Sequence, residues 1–257
     1  MIPRCITIAG SDSGGGAGIQ ADLKAFAAAG VHGTSAIVAL TAQNTREVTA
    51  VFELPPEFVR AQLDAVAGDI GIDAAKTGML YSRAIIEEVA GWLEEHRLPL
   101  AVDPVMVASS GGRLLEDDAV EVLVRRLFPL ATVVTPNVLE ARTLTGSEAA
   151  PAELAELLVG LGAPAALVTG GHGDEPADHL FDGTEHYDIP FEHHDAAATH
   201  GAGCTHSATL AALLARRLSL VDAARGAAAA ASRAVALGLS EVGGGEGPVD
   251  VLGTVGQ

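Results

Sequence analysis

The chain reads as an α/β protein with a mostly parallel central sheet covered by helices on both faces. Three observations predict this. Short apolar runs rich in Val, Ile and Ala alternate with segments of helical spacing almost throughout, the order that successive βα units produce. Hydrophobic residues make up 49% of the chain but aromatic residues only 4%. The core must therefore be aliphatic, as strands buried on both faces require. Polar or glycine-rich turns follow six of the expected strands, and open α/β sheets bind ligands beyond the carboxyl ends of their strands.

Taken in order, residues 5–9 read as a buried strand that runs into the glycine-rich loop 10–18. Residues 19–29 carry helical spacing at Ile19, Leu23 and Phe26, and Gly30 stops the helix. Residues 34–41 form a second strand, Gln43-Asn44-Thr45 a polar turn, and residues 50–54 a short apolar strand. Pro55-Pro56 opens a helix reaching Gly68, because proline is tolerated in a first turn. A strand at 74–77 precedes a helix that Ser82 caps and that runs to His96. Strands at 100–102 and 132–134 flank a helix at 116–127. Helices at 138–144 and 152–161 lead to a strand at 165–168. Residues 179–181 and 185–189, joined around Asp182-Gly183-Thr184, predict a small antiparallel hairpin at one sheet edge. The last third is mostly helix, including a buried one over 227–239. Residues 243–248, rich in glycine, are expected as a hinge, a lid or a plain surface loop. With no repeat or low-complexity linker, residues 1–257 read as a single domain.

Charge and cysteine content narrow the function. The net charge of −18 and the presence of only two lysines, Lys24 and Lys76, disfavour nucleic acid and anionic membranes as partners. Such a surface suits a salty cytosol or a biased genome equally. Two cysteines, Cys5 and Cys204, are too few for a disulfide framework, so a reducing, cytoplasmic setting is expected. Met1-Ile2-Pro3-Arg4 leads straight into a strand pattern, which gives no sign of a secretory leader. The chain has no Gly-x-Gly-x-x-Gly after a strand, no Gly-Lys-Ser/Thr and no Cys-x-x-Cys, which argues against Rossmann, Walker-type and zinc-site readings. His193-His194 between Glu192 and Asp195 is expected to be a solvated loop rather than a metal site.

The most informative stretch is Thr199-His200-Gly201-Ala202-Gly203-Cys204-Thr205, followed by a small apolar run. Glycines allow close approach to the backbone. A helix start presents unpaired N–H groups and roughly +0.5 of charge. The turn thus predicts an anion site, with phosphate the usual anion. Cys204 sits at the positive end, where a thiol is expected to fall below its free value of about 8.5. Asn137 and Glu140 alone would read as a helix cap with a first-turn carboxylate. Asp22 alone would read as an exposed helix residue, and Met79 as core.

Further motifs run along the chain: Ile8-Ala9-Gly10-Ser11-Asp12, Gly14-Gly15-Gly16-Ala17-Gly18 through Lys24, and Thr41-Ala42-Gln43-Asn44-Thr45. They continue with Lys76-Thr77-Gly78-Met79-Leu80, Asp103-Pro104-Val105-Met106, Thr135-Pro136-Asn137 with Glu140, and His200-Gly201-Ala202-Gly203-Cys204-Thr205. Gly245, Gly247, Pro248 and Val249 extend the pattern near the end. Taken together, these motifs resemble the hydroxymethylpyrimidine and phosphomethylpyrimidine kinases of thiamin biosynthesis, within the ribokinase-like superfamily.

The resemblance implies a three-layer α/β/α sandwich and transfer of the ATP γ-phosphoryl group to a pyrimidine alcohol and then to its monophosphate. It implies that Gly201, Ala202 and Gly203 cradle the transferring phosphate and that Cys204 takes the hydroxyl proton. It assigns Gly10, Asp22, Gln43, Met79 and Val105 to the pyrimidine. It assigns Asn137, Thr169, Gly171, Gly201 and Gly203 to ATP, and Asp103 and Glu140 to Mg²⁺. It also implies a homodimer.

Three positions depart from the family's commonest form: Thr169 where lysine is frequent, Ala108-Ser109-Ser110-Gly111 where a lysine also occurs, and Ala202 where threonine is usual. Arg113, Lys76 or bound Mg²⁺ would then have to compensate. Thr169 and Ala202 also resemble a subgroup acting on pyridoxine-type vitamins. A pyridoxal or pyridoxine kinase, or a non-catalytic pyrimidine-binding protein, are the alternatives.

Overall fold

The computed structural model describes residues 2–106, 115, 117–170 and 176–254. Among these, nine strands form one sheet, in the order β3-β2-β1-β4-β5-β6-β7-β8-β9. At its centre, β1 (Arg4–Asp12) pairs in parallel with β2 (His32–Gln43) and β4 (Ala74–Thr77). The parallel run continues through β5 (Leu100–Val102), β6 (Val133–Val134) and β7 (Ala166–Val168).

Both edges turn antiparallel. The expected hairpin is β8 (Ala177–Phe181) with β9 (His186–Pro190). At the opposite edge β3 (Val48–Glu53) returns antiparallel to β2, because the short Asn44–Glu47 connection has no room for a crossover. Strand β1 also runs past Ala9 to Asp12, with a bulge between Ala9 and Ser11. Partners on both sides outweigh the poor strand preference of Gly10.

The helices divide cleanly between the two faces. Helices α2 (Pro56–Asp69), α3 (Arg83–Glu95), α4 (Asp117–Leu127), α5 (Val138–Thr145) and α6 (Pro151–Gly160) pack on one face. Helices α1 (Gly18–Ala28), α7 (Ala202–Ala215) and α8 (Leu220–Ala236) pack on the other. Strand residues alternate accordingly: Ile6, Ala75, Val102 and Val134 meet the first group, while Cys5, Ala74, Ala101 and Val133 meet the second. This is the period-2 alternation of a pleated strand buried on both sides.

Caps follow the sequence signals. The Ser82 hydroxyl accepts the Ile85 N–H at 3.4 Å, and Pro56 occupies the first turn of α2. Gly146 ends α5 in a left-handed conformation, φ 66°.

Helix α7 enters through Gly201, also left-handed at φ 85°. A β-carbon there would lie 1.8 Å from the Gly16 carbonyl oxygen. Two glycine turns from opposite ends of the chain therefore cross in contact. The 243–248 loop docks beside them. Gly245 N–H donates to Thr45 Oγ1 at 3.1 Å, and His200 N–H donates to the Gly247 carbonyl at 3.2 Å.

Gly201→Ala should cost about 3 kcal/mol or more, because a non-glycine left-handed residue is strained and the clash is with backbone. A β-carbon at Gly203 meets nothing within 4 Å. In urea denaturation Gly203→Ala is therefore expected to stay near wild type while Gly201→Ala shifts to a much lower midpoint.

Candidate active site

The carboxyl ends of the parallel strands and the start of α7 enclose one cavity. Gly10, Gln43, Met79 and Val105 line it from the β1, β2, β4 and β5 ends. Asn137, Glu140 and Thr169 line it from the β6 and β7 ends, and Asp103, Gly201, Ala202, Gly203 and Cys204 complete it. Gly171, Arg113 and the 108–111 stretch lie outside the described residues. Gly10 packs against Met79, whose side-chain tip would have to move for any larger residue. The Gly10 N–H donates to the Met79 carbonyl at 3.1 Å, and a β-carbon would meet Met79 Cε at 2.4 Å.

Asp12 and His200, which the sequence reading left unassigned, join the two glycine turns. The Asp12 carboxylate accepts N–H bonds from Gly14 at 2.7 Å, Gly16 at 3.0 Å and Ala17 at 2.8 Å, and from His200 Nε2 at 3.1 Å. Burial works against its charge, but His200 and the main-chain donors hold the carboxyl below its usual value. The signal was present: an aspartate two residues before a glycine run is a common side-chain-to-backbone turn former. Ser207 was also missed. Its hydroxyl donates to Asp103 Oδ2 at 2.7 Å.

Asp22, which alone reads as an exposed helix residue, is buried instead. It does not line the cavity and is fully buried, with both carboxylate oxygens on Lys76 Nζ at 2.9 and 3.0 Å. The Thr7 hydroxyl donates to the same carboxylate at 2.5 Å. The reason is helical spacing: Ile19, Asp22 and Phe26 share the buried face of α1. Asp22 therefore acts from beneath the site by holding Lys76, which lines the cavity and lies 3.8 Å from Asp103 Oδ2. Burial alone would lower the Lys76 ammonium, but the charge of Asp22, with Cys204 and Asp103, keeps it above its ordinary value.

Cys204 reaches the cavity as expected, but its thiol does not drop. Burial pushes it up to about 12; Lys76 pulls it down, while Asp22 and Asp103 push it further up. Desolvation and two carboxylates outweigh the helix terminus and one ammonium.

Comparisons with known proteins decide the family. A model described as "Phosphomethylpyrimidine kinase" matches residues 12–250. The chain belongs to the phosphomethylpyrimidine kinase family. A hydroxymethylpyrimidine/phosphomethylpyrimidine kinase of Rhizobium meliloti is 48% identical over 257 residues, covering 97% of both chains. A phosphomethylpyrimidine kinase structure from Clostridium difficile is 38% identical with a TM-score of 0.78, over 89% of this chain and 96% of that one. A pyridoxal kinase structure from Staphylococcus aureus, in complex with AMP-PCP and pyridoxal, is 32% identical with a TM-score of 0.89, over 99% and 95%. The ribokinase-like fold of these kinases is the fold described above, and kinase neighbours holding ADP or AMP-PCP support nucleotide binding in this family.

In this kinase-family site the donor set suits a hard cation. Asn137 and Glu140 form a capping box, with Asn137 Oδ1 accepting the Glu140 N–H at 2.9 Å and Glu140 Oε2 accepting the Asn137 N–H at 3.0 Å. The cap therefore stands, yet both residues also face the cavity. Burial first, then the charge of Asp103, pushes the Glu140 carboxyl up to about 8. Two neighbouring carboxylates resist ionising together unless a cation lies between them. Among the described residues no cluster of three or more metal-binding side chains exists, His193 and His194 included. Asp103 and Glu140 could hold Mg²⁺ only with water or phosphate oxygens completing the shell, its usual habit.

Two outcomes follow from these charges. Lys76→Met strands the Asp22 carboxylate in the core and should cost about 3–5 kcal/mol in urea denaturation, with the Asp22→Asn/Lys76→Met pair recovering most of it. Glu140 rises from 4.5 to about 8, so its contribution favours folding at low pH and is lost as pH climbs through about 8. The melting temperature of wild type relative to Glu140→Gln should therefore fall between pH 5 and 8.5. Added Mg²⁺ should raise wild type most at the upper end, because it displaces that proton.

Proposed function

We propose that this chain transfers the γ-phosphoryl group of ATP to 4-amino-5-hydroxymethyl-2-methylpyrimidine, and then phosphorylates the monophosphate to the diphosphate, in thiamin biosynthesis. One observation carries the reading. The left-handed Gly201 turn and the Cys204 side chain open onto the same cavity as Gly10, Gln43, Met79 and Val105.

Phosphoryl transfer needs positioning and charge neutralisation more than covalent help. The main-chain N–H groups of Gly203 and Cys204, in the first turn of α7, are the donors for a phosphate, because the Ala202 N–H already donates to the Thr199 carbonyl at 3.0 Å. Gln43 offers amide donor and acceptor atoms to an aminopyrimidine edge, and Met79 and Val105 offer apolar walls. Asn137 and Thr169 stand at the β6 and β7 ends for the nucleotide phosphates. Asp103 and Glu140 would hold Mg²⁺, which neutralises phosphate charge when bound.

Cys204 takes the proton of the hydroxyl. Its raised thiol makes thiolate scarce near neutrality, so turnover should climb with pH between 7 and 9. Lys76, held by Asp22, is the buried ammonium that favours the thiolate. Among the described residues no helix is long and apolar enough to cross a membrane. A homodimer remains part of this reading. Phe52 and Leu40, paired across β3 and β2 and exposed, are available to it, and sedimentation velocity tests it.

A second reading, a pyridoxal or pyridoxine kinase, is favoured by the structural likeness to the Staphylococcus aureus enzyme. Product masses after incubation with ATP, Mg²⁺ and each alcohol separate the two. The pyrimidine mono- and diphosphates are expected; phosphorylation of pyridoxine or pyridoxal alone would overturn the first reading. Cys204→Ala should lower kcat by about 10²–10⁴ with ADP binding intact, the range of general-base catalysis. An unchanged kcat would remove Cys204 as the base.

A further inference from the structure

Helix α7 carries a buried pair that the chemistry above does not use. From Thr205 to Ala215 each residue is buried, and His206 is the ionisable one among them. Its Nε2 donates to Asp178 Oδ2 at 2.9 Å. Asp178 belongs to β8 and is 3% exposed, and His206 is 5% exposed. Burying a carboxylate and an imidazole inside an alanine- and leucine-rich layer costs free energy that apolar side chains would not. Such a pair has either a structural reason or a functional one, and its second bond separates them.

The other Asp178 oxygen, Oδ1, accepts the Gly170 N–H at 3.1 Å. Gly170 is left-handed at φ 81° and follows Thr169, which lines the cavity. The Thr169 main chain is tied in turn to the α5 entrance: its N–H donates to the Pro136 carbonyl at 2.9 Å, and its carbonyl accepts the Val138 N–H at 3.1 Å. One carboxylate thus bridges the turn after β7 and the helix that carries Cys204, two residues before His206. His206 Nδ1 is buried with no hydrogen-bond partner among the described residues. The imidazole is therefore held in this network through Nε2 alone, and that nitrogen must carry the proton that Asp178 accepts.

We propose that Asp178 and His206 are positioning residues for the nucleotide phosphates, locking the Thr169–Gly170 turn to the phosphate-binding end of α7. The proposal rests on the kinase reading for the role of Thr169. The pair fixes the distance between the nucleotide-side turn and the Gly201–Cys204 cradle, while the alcohol side, built from the β1, β2, β4 and β5 ends, is untouched by it.

The test compares His206→Leu, which fills the space without a donor, with His206→Gln, which keeps an N–H for Asp178, and with Asp178→Asn. Kd for ADP by calorimetry, KM for ATP, KM for the pyrimidine alcohol and the melting temperature are measured for each. His206→Leu and Asp178→Asn should weaken ADP binding and raise KM for ATP about tenfold, the scale of an unmet buried hydrogen bond. KM for the alcohol should stay within about twofold, and His206→Gln should restore much of the nucleotide affinity. A lower melting temperature with nucleotide affinity unchanged would overturn the proposal, as would an equal rise in both KM values. ADP binding is measured without turnover, so failure of the kinase reading shows instead as absent product. If His206→Leu does not fold, the Asp178→Asn and His206→Gln affinities decide alone: ADP binding at wild-type strength in Asp178→Asn overturns the proposal.

Discussion

The contact on which the site depends is backbone against backbone. Gly201 is left-handed, and its α-carbon lies so close to the Gly16 carbonyl that a β-carbon would stand 1.8 Å from that oxygen. Glycine alone satisfies both demands, conformational and steric. The crossing fixes the start of α7 against the loop after β1, so the α7 entrance and the β1 end share one rigid frame. Asp12 reinforces it by binding N–H groups of its own loop and the imidazole of His200 at once. A carboxylate with so many donors is comfortable in its charge even when buried.

Electrostatics impose the second constraint. The chain carries a net charge of −18, yet must gather phosphates. Its cavity adds Asp103 and Glu140 to that burden. Main-chain amides at a helix start carry positive partial charge without a side chain, and a divalent cation between the carboxylates would convert a liability into a binding element. Lys76 contributes a full charge, but Asp22 holds it so firmly that it serves as a fixed field rather than a mobile hand. The raised Cys204 thiol is the consequence of burial in this company.

Much of the architecture was legible. Short apolar runs alternating with helical segments predicted the parallel sheet, and the turns after strands located Gly10, Gln43, Met79, Asp103, Asn137, Glu140 and Thr169, all of which line the cavity. What spacing could not show was pairing across long sequence separations. Asp22 with Lys76, Asp12 with His200 and Asp178 with His206 meet only because the fold brings distant strands and helices together. Asp22 looked exposed because its helix was phased on Leu23, although Asp22 itself falls on the inward stripe with Ile19 and Phe26. The direction of the Cys204 shift was missed for a related reason. A helix N-terminus is visible in sequence, whereas desolvation and the approach of two carboxylates are properties of the packed chain.

The most direct measurement is a crystal structure with a non-hydrolysable ATP analogue, Mg²⁺ and the pyrimidine alcohol bound together. The account predicts the terminal phosphate within hydrogen-bond distance of the N–H groups of Gly203 and Cys204, with the hydroxyl of the alcohol facing Cys204 Sγ. A terminal phosphate bound away from the α7 entrance, or a hydroxyl turned from the sulfur, would contradict it.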